Sequence, residues 1–427
     1  MPSRRATAQQ STAARSVLII AGVGLFLLSA CSGGGGGASA QTAAGSAAST
    51  ASTSTTSTTS TTTTSTPTNA GVLLRGVNLA GNNRSVGATT QPTAAGLTYF
   101  HNKGMNAYRL MAMWQNTIAT TGGSPNGGGA VTSDITDLDP AKMAAYDTTI
   151  NAITGAGDYV IFDPHQGGRF WSSDQAPTYI IGQDANAPSA ATFAAWWANI
   201  ANRYKSNSHV IFEIQNEPHD QDINILVATE NRVISAIRAT GAANLILVDA
   251  DNYSGADSWN TIAPGTGGVS NATAMLNIVD AGNNFAFDIH QYLDGSGGTL
   301  TSCISGGYFG LDAVTTWARA SGKRLFLGEV GAGNNPGCNA LMQGMLGYVE
   351  GAPDAWLGWT VFAAFAGQNT YDGQTYAYER ACATAACGFW YLLDPTSGPS
   401  NYAAPTGEDT RLLSGGLLYT DLNAHSP

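Results

Sequence analysis

Two short strings carry residues able to do chemistry: Ile214-Gln215-Asn216-Glu217-Pro218 and Phe326-Leu327-Gly328-Glu329-Val330-Gly331. Each follows an apolar, strand-like run and delivers a glutamate: Val210-Ile211-Phe212 leads to Glu217, and Leu325-Phe326-Leu327 leads to Glu329. A carboxylate at the exit of a buried strand sits where barrel enzymes do their chemistry. Two of them on separate strands are the minimum equipment for cleaving a glycosidic bond, one carboxyl protonated while the other is ionised. No metal is needed for that reaction, and no cofactor is expected. The six histidines form no His-x-His or His-Glu-x-x-His grouping.

The elements that must hold these residues recur along the chain. Apolar runs lie at Leu73–Val77, Ala107–Leu110, Tyr159–Phe162, Val210–Ile214, Leu245–Val248, Phe285–Asp288, Leu325–Leu327 and Leu357–Trp359. Between them the spacing leaves room for a crossover helix and a loop. Helical periodicity fills several gaps, as in Phe193, Trp196, Trp197, Ile200 and Tyr204, or Leu226, Val233, Ile234 and Ile237. Trp196 and Trp197 read as helix packing. Eight alternations with continuously apolar strands predict an α/β fold, a (β/α)8 barrel forming one catalytic domain over residues 71–427.

Residues at the ends of those runs would share one rim: Asn78, Arg109, His165, Asn216, Glu217, His290, Tyr292, Glu329 and Trp359. Their order along the chain resembles glycoside hydrolase family 5, the retaining β-glycanases, and within it the endoglucanases. The markers are Arg75-Gly76-Val77-Asn78-Leu79, Tyr108-Arg109-Leu110, Asp163-Pro164-His165, Asn216-Glu217-Pro218, His290-Gln291-Tyr292, Gly328-Glu329 and Trp359. Pro164 departs from the Leu-like residue common in the family but leaves His165 in register. The resemblance implies Glu217 as general acid/base and Glu329 as nucleophile. Arg109, the one rim cation charged at any relevant pH, is assigned to Glu329, with Tyr292 as a second donor. Asn216 would bind the sugar 2-hydroxyl. His165 and His290 would bind hydroxyls or orient carboxylates, and Trp359 would offer a face to a pyranose ring. Trp114, Trp171, Tyr253 and Trp259 are further candidate platforms.

The implied activity is an endo-β-1,4-glucanase acting on cellulose-like glucan. A β-mannanase or another β-glycanase shares the same catalytic set, and a catalytically silent carbohydrate-binding barrel is the reading from another class. His290-Gln291-Tyr292-Leu293-Asp294-Gly295 and the segment from Asn199 to His219 resemble the endoglucanase branch. Composition agrees with a neutral polymer as partner; a monomer is expected, with membrane contact only through a lipid anchor on the precursor. Charged residues make up 11% of the chain and its formal charge is −11, which disfavours nucleic acid or an anionic membrane surface.

The amino-terminal part has another character. Arg4, Arg5 and Arg15 precede the apolar run Val17 to Leu28, the pattern of an export signal. Leu28-Ser29-Ala30-Cys31 resembles a lipoprotein box, with Cys31 the acylated residue, and Ala38-Ser39-Ala40 offers a second cleavage site. Residues 1–40 are therefore read as a leader, and 41–70, nearly all Ser, Thr and Ala, as a flexible linker. The five glycines at 33–37 lack the Gly-Lys-Ser/Thr of a phosphate loop. A secreted enzyme, with a lipid-anchored precursor, is the expectation. Four further cysteines suit export; of three pairings, Cys303–Cys338 with Cys382–Cys387 is preferred, and some family members place a disulfide where the first would fall.

Overall fold

All eight apolar runs become neighbours in one closed parallel barrel. The computed structural model describes residues 73–364 apart from 80–90, 93, 103, 119–135, 172–177, 263–266, 295–302, 305–309 and 333–335, together with 369–371 and 374–376. In chain order the elements are β1 (Leu74–Leu79), α1 (Ala94–His101), β2 (Ala107–Met111), α2 (Pro140–Gly155) and β3 (Tyr159–Asp163). A two-stranded hairpin follows, β4 (Arg169–Trp171) with β5 (Thr178–Ile180), then α3 (Ala190–Tyr204), β6 (Val210–Glu213), α4 (Ile223–Ala239) and β7 (Ile246–Asp249). The chain continues through α5 (Asn271–Ala274), β8 (Phe285–Tyr292), α6 (Leu311–Ser321), β9 (Leu325–Gly331), α7 (Pro336–Glu350) and β10 (Trp356–Ala364). β1 pairs with both β2 and β10, which closes the ring.

Strand alternation sorts the side chains into two cores. Outward-facing residues such as Phe162, Phe212, Val248 and Phe287 join the apolar faces of the helices. Inward-facing Leu74, Ile161, Ile211, Leu247, Ala286, Phe326 and Leu357 form a separate plug inside the barrel, and beyond it along the strands lie the buried polar residues Asn78, Asp163, Glu213, Asp249 and Asp288. Gly358, with φ of 144°, lies where a β-carbon would come 1.8 Å from the Leu74 carbonyl oxygen, so the closing pair of strands needs glycine there.

The helices begin where their caps place them. Asp139 accepts from the amides of Ala141 and Lys142 ahead of α2, whose first residue is Pro140. Ser189 caps α3 and Asp222 caps α4. On α3 the predicted stripe is buried: Trp196 donates to the Thr117 hydroxyl and Trp197 to the Ile214 carbonyl, so both serve packing. Cys303 and Cys338 are joined by a disulfide. Cys382 and Cys387, Cys31, the leader and the linker lie outside the described residues.

Candidate active site

The polar layer above the plug is organised around one guanidinium. Arg109 lies on β2 in register with Asn78 of β1, and is fully buried. Its Nη1 donates to Asn78 Oδ1 at 2.8 Å and to Glu329 Oε1 at 2.7 Å. Nη2 donates to Asn216 Oδ1 at 2.6 Å and to Glu213, while Nε reaches the second Glu213 oxygen at 2.7 Å. Only a planar fork with five donors can hold so many acceptors at once. Burial opposes the charge, but Asp163, Glu213 and Glu329 outweigh it and keep the guanidinium protonated.

Glu329, on β9, is held from both sides. Arg109 takes Oε1, and the Tyr292 hydroxyl donates to Oε2 at 2.5 Å. Burial and the neighbouring Glu329 charge push the Tyr292 phenol well up, so it remains a donor. The residue before Glu329 must be small: a β-carbon on Gly328 would stand 2.2 Å from both Asp288 carboxylate oxygens. Glu217, just beyond β6, has a different setting. Its Oε1 meets His290 Nδ1 at 2.8 Å, and its side chain is 21% exposed against 4% for Glu329. An oxygen of each glutamate and a His290 ring nitrogen all lie within 4.8 Å of one another. Burial alone would lower the pKa of His290, but the charge of Glu329 and the contact with Glu217 raise it to about 9.

Asn216 is positioned through its carbonyl oxygen by Arg109, which directs its amide nitrogen away from the guanidinium. His165 Nδ1 contacts Asp163 Oδ2 at 2.8 Å and stands 4.0 Å from Glu329 Oε1. Its ring faces Phe362 at 6.4 Å between centroids. Phe362 is therefore the aromatic of β10 nearest the polar rim, and it corrects one expectation. Trp359 points the other way, into the shell beneath the helices, where its indole donates to Glu350 Oε1 on α7 at 3.1 Å. The irregularity at Gly358, where the pairing of β10 with β9 shifts register between Trp356 and Trp359, explains it: Trp359 turns outward although Leu357 faces in, and Phe362, three residues on, takes the opposite face.

Two other expected platforms are core residues. Trp114 packs against Phe170, Phe193 and Trp196, and Trp259 against Phe287 and Trp317; neither presents a face to solvent. Trp171 is nearly enclosed on β4, its backbone paired with the Gln115 amide. Tyr253 alone of the four is open, 47% exposed and stacked on His219 at 4.4 Å.

Sequence reading passed over a layer of buried acids: Asp163, Glu213, Asp249 and Asp288. The signal was present, since each closes an apolar run: Tyr-Val-Ile-Phe-Asp, Val-Ile-Phe-Glu, Ile-Leu-Val-Asp and Phe-Ala-Phe-Asp. Burial, with the charge of Glu329 adding to it and Arg109 opposing, lifts the Asp163 pKa to about 7. The folded protein then keeps a proton that the unfolded chain releases near pH 4, so this group's stabilisation is lost as pH rises from about 4 to 7. Thermal unfolding should show the decline, at most about 1.4 kcal/mol per pH unit for one group, and Asp163→Asn should flatten it. An unchanged slope in that variant would remove Asp163 as its source. Two groups among the described residues have the donors to hold a metal ion, Glu217–His290–Glu329 and Glu213–Asp249–Asp288.

Residues 65–364 match the family described as cellulase, glycosyl hydrolase family 5. The chain belongs to that family. A probable endo-β-1,4-glucanase B of Aspergillus oryzae is 31% identical over 279 residues, covering 64% of this chain and 73% of the relative. Among solved structures, XacCel5A in complex with cellopentaose is 34% identical with a TM-score of 0.60, over 69% of this family 5 chain and 90% of that one. The endo-β-1,4-glucanase Xac0029 of Xanthomonas axonopodis pv. citri is 30% identical with a TM-score of 0.64, over 83% and 100% of the two chains. The closed eight-stranded barrel is the fold expected of the family.

Proposed function

We propose that this family 5 chain is an endo-β-1,4-glucanase that cleaves internal bonds of cellulose-like glucan with retention of configuration. The observation that carries it is the paired setting of Glu217 and Glu329, close together with opposite surroundings. Retaining enzymes hold their carboxyls about 5–5.5 Å apart, too near for a water to attack between them. Glu329, fixed by a cation and a phenol, is suited to attack the anomeric carbon as a carboxylate. Glu217, nearer solvent, is suited to protonate the leaving oxygen and then to activate the water that releases the sugar. His290 would orient Glu217, Asn216 would bind the 2-hydroxyl, and His165 a neighbouring hydroxyl. Tyr253, on the Glu217 side, would stack on a leaving-group sugar. None of these steps calls for a metal, and the cation beside the nucleophile is Arg109.

Glucan as the substrate is supported by the names of the relatives and by the cellopentaose bound to one of them. The weakly charged composition suits a neutral chain. The viscosity of carboxymethylcellulose should fall faster than reducing ends accumulate, the mark of internal cleavage. A much higher kcat/KM on mannan or glucomannan would transfer the chain to the mannanases, and no release from any β-glycan would leave a binding barrel.

We further propose export through the leader at 1–40, lipid on Cys31 of the precursor, and trimming into the linker at 41–70. Sequencing the exported protein should find its first residue near Gln41 or later. A mature form that retains residues before Cys31 would refute this.

A further inference from the structure

Glu217 has a φ of 45°, in the left-handed region, and the residue after it is Pro218. A proline ring crowds the preceding residue and favours extended backbone there, and an L side chain rarely holds a positive φ. Such a conformation persists where its surroundings over-determine it. Two contacts do so. The Glu217 carbonyl accepts from His219 Nδ1 at 2.8 Å, and its amide donates to Asp249 Oδ2 at 2.9 Å. Asp249 ends β7, the strand beside β6, and is wholly buried.

The rest of the Asp249 carboxyl explains nothing else in the fold. Its Oδ1 has no hydrogen-bond partner among the described residues, and its Oδ2 stands 4.0 Å from His290 Nε2. Glu213 and Asp288 surround it, with an oxygen of each within 4.8 Å of an Asp249 oxygen. This buried acid stands among acids, and among the described residues the Glu217 amide is the one hydrogen-bonded partner of its carboxyl. Turning φ of Glu217 to the ordinary negative region would redirect its Cα–Cβ bond and carry the carboxyl away from His290 Nδ1.

We propose that Asp249 is a positioning residue for the protonation step: by holding the Glu217 amide it fixes the left-handed turn that aims the Glu217 carboxyl at the glycosidic oxygen. The inference rests on the reading of Glu217 as general acid/base. Burial and then the charges of Glu213 and Asp288 push the Asp249 pKa well up, so it holds the amide as a neutral acceptor. An asparagine can do the same and turn its NH2 toward the neighbouring carboxyls.

Asp249→Leu keeps the bulk and removes the acceptor; Asp249→Asn keeps the acceptor. Each variant is assayed on carboxymethylcellulose and on dinitrophenyl cellobioside, whose leaving group needs little protonation. Rates are normalised to active sites counted by covalent trapping with a 2-fluoro cellobioside. For D249L, kcat/KM on polymer should fall by about 30- to 100-fold while kcat/KM on the aryl glycoside, which reports glycosylation alone, stays within about threefold. D249N should stay within about threefold on both. Three results would each overturn the inference: polymer turnover retained in D249L, equal losses on both substrates per trapped site, or D249N as impaired as D249L. Should D249L not fold, Asp249→Ala carries the same comparison. Glu217→Ala in parallel separates the two readings, since absence of a leaving-group split in that variant removes the acid/base assignment itself.

Discussion

Glu329→Gln is expected to abolish turnover on every substrate, by about four orders of magnitude or more, because no glycosyl-enzyme bond can form without the carboxylate. The loss should not depend on the leaving group, since every substrate must form the same bond to Glu329 as its leaving group departs. Folding should survive. Glutamine keeps an oxygen for the Arg109 Nη1 donor and an NH2 opposite the Tyr292 hydroxyl, the two contacts that seat Glu329. Measured rates on polymer and on an activated aryl cellobioside check both statements. Residual turnover above about 1% of the parent on either substrate, or inversion at the anomeric carbon seen by NMR, would remove Glu329 from the nucleophile's role.

The second large effect is selective. Glu217→Ala should lower polymer turnover by about 10²- to 10⁴-fold, the usual contribution of a positioned acid, while an aryl glycoside with a good leaving group loses far less. Deglycosylation should then become the slow step for the activated substrate, because the same residue activates the incoming water. Accumulated glycosyl-enzyme, seen as a burst of released phenol, is the measurement. Similar losses on both substrates, without a burst, would assign Glu217 to structure.

Much of the fold was legible because the barrel strands are apolar on both faces and announce themselves as runs; all eight are found where they were expected. The residues at strand ends were legible for the same reason, and Arg109, Glu329, Tyr292, His290 and Glu217 do converge. Facing was harder to read. Trp359 ends an apolar run, yet the register shift at Gly358 turns it outward and leaves Phe362 toward His165. The aromatic platforms failed for another reason: Trp114 and Trp259 lie beyond apolar strand runs, but both pack into the one core shared by the barrel's outer face and the helices. The acids Asp163, Glu213, Asp249 and Asp288 looked like strand termini. Their function as a shared polar layer depends on distant partners, Arg109 for Glu213 at a separation of 104 residues and the Glu217 amide for Asp249 at 32, which no local pattern encodes.

The pairing of β1 with β10 has a consequence for the order of events in the cell. Leu74 and Leu79 bond to strand partners around Gly358 and Ala364, so the ring cannot shut until nearly all of the barrel has been made. Until then Asn78 lacks the Gly328 and Thr360 carbonyls to which its amide donates, and Arg109 lacks Glu329. A ribosome-bound chain therefore lacks both the cradle and half of the catalytic pair. A nascent polypeptide that cannot complete its tertiary structure stays threadable, which is the state that the proposed export would require.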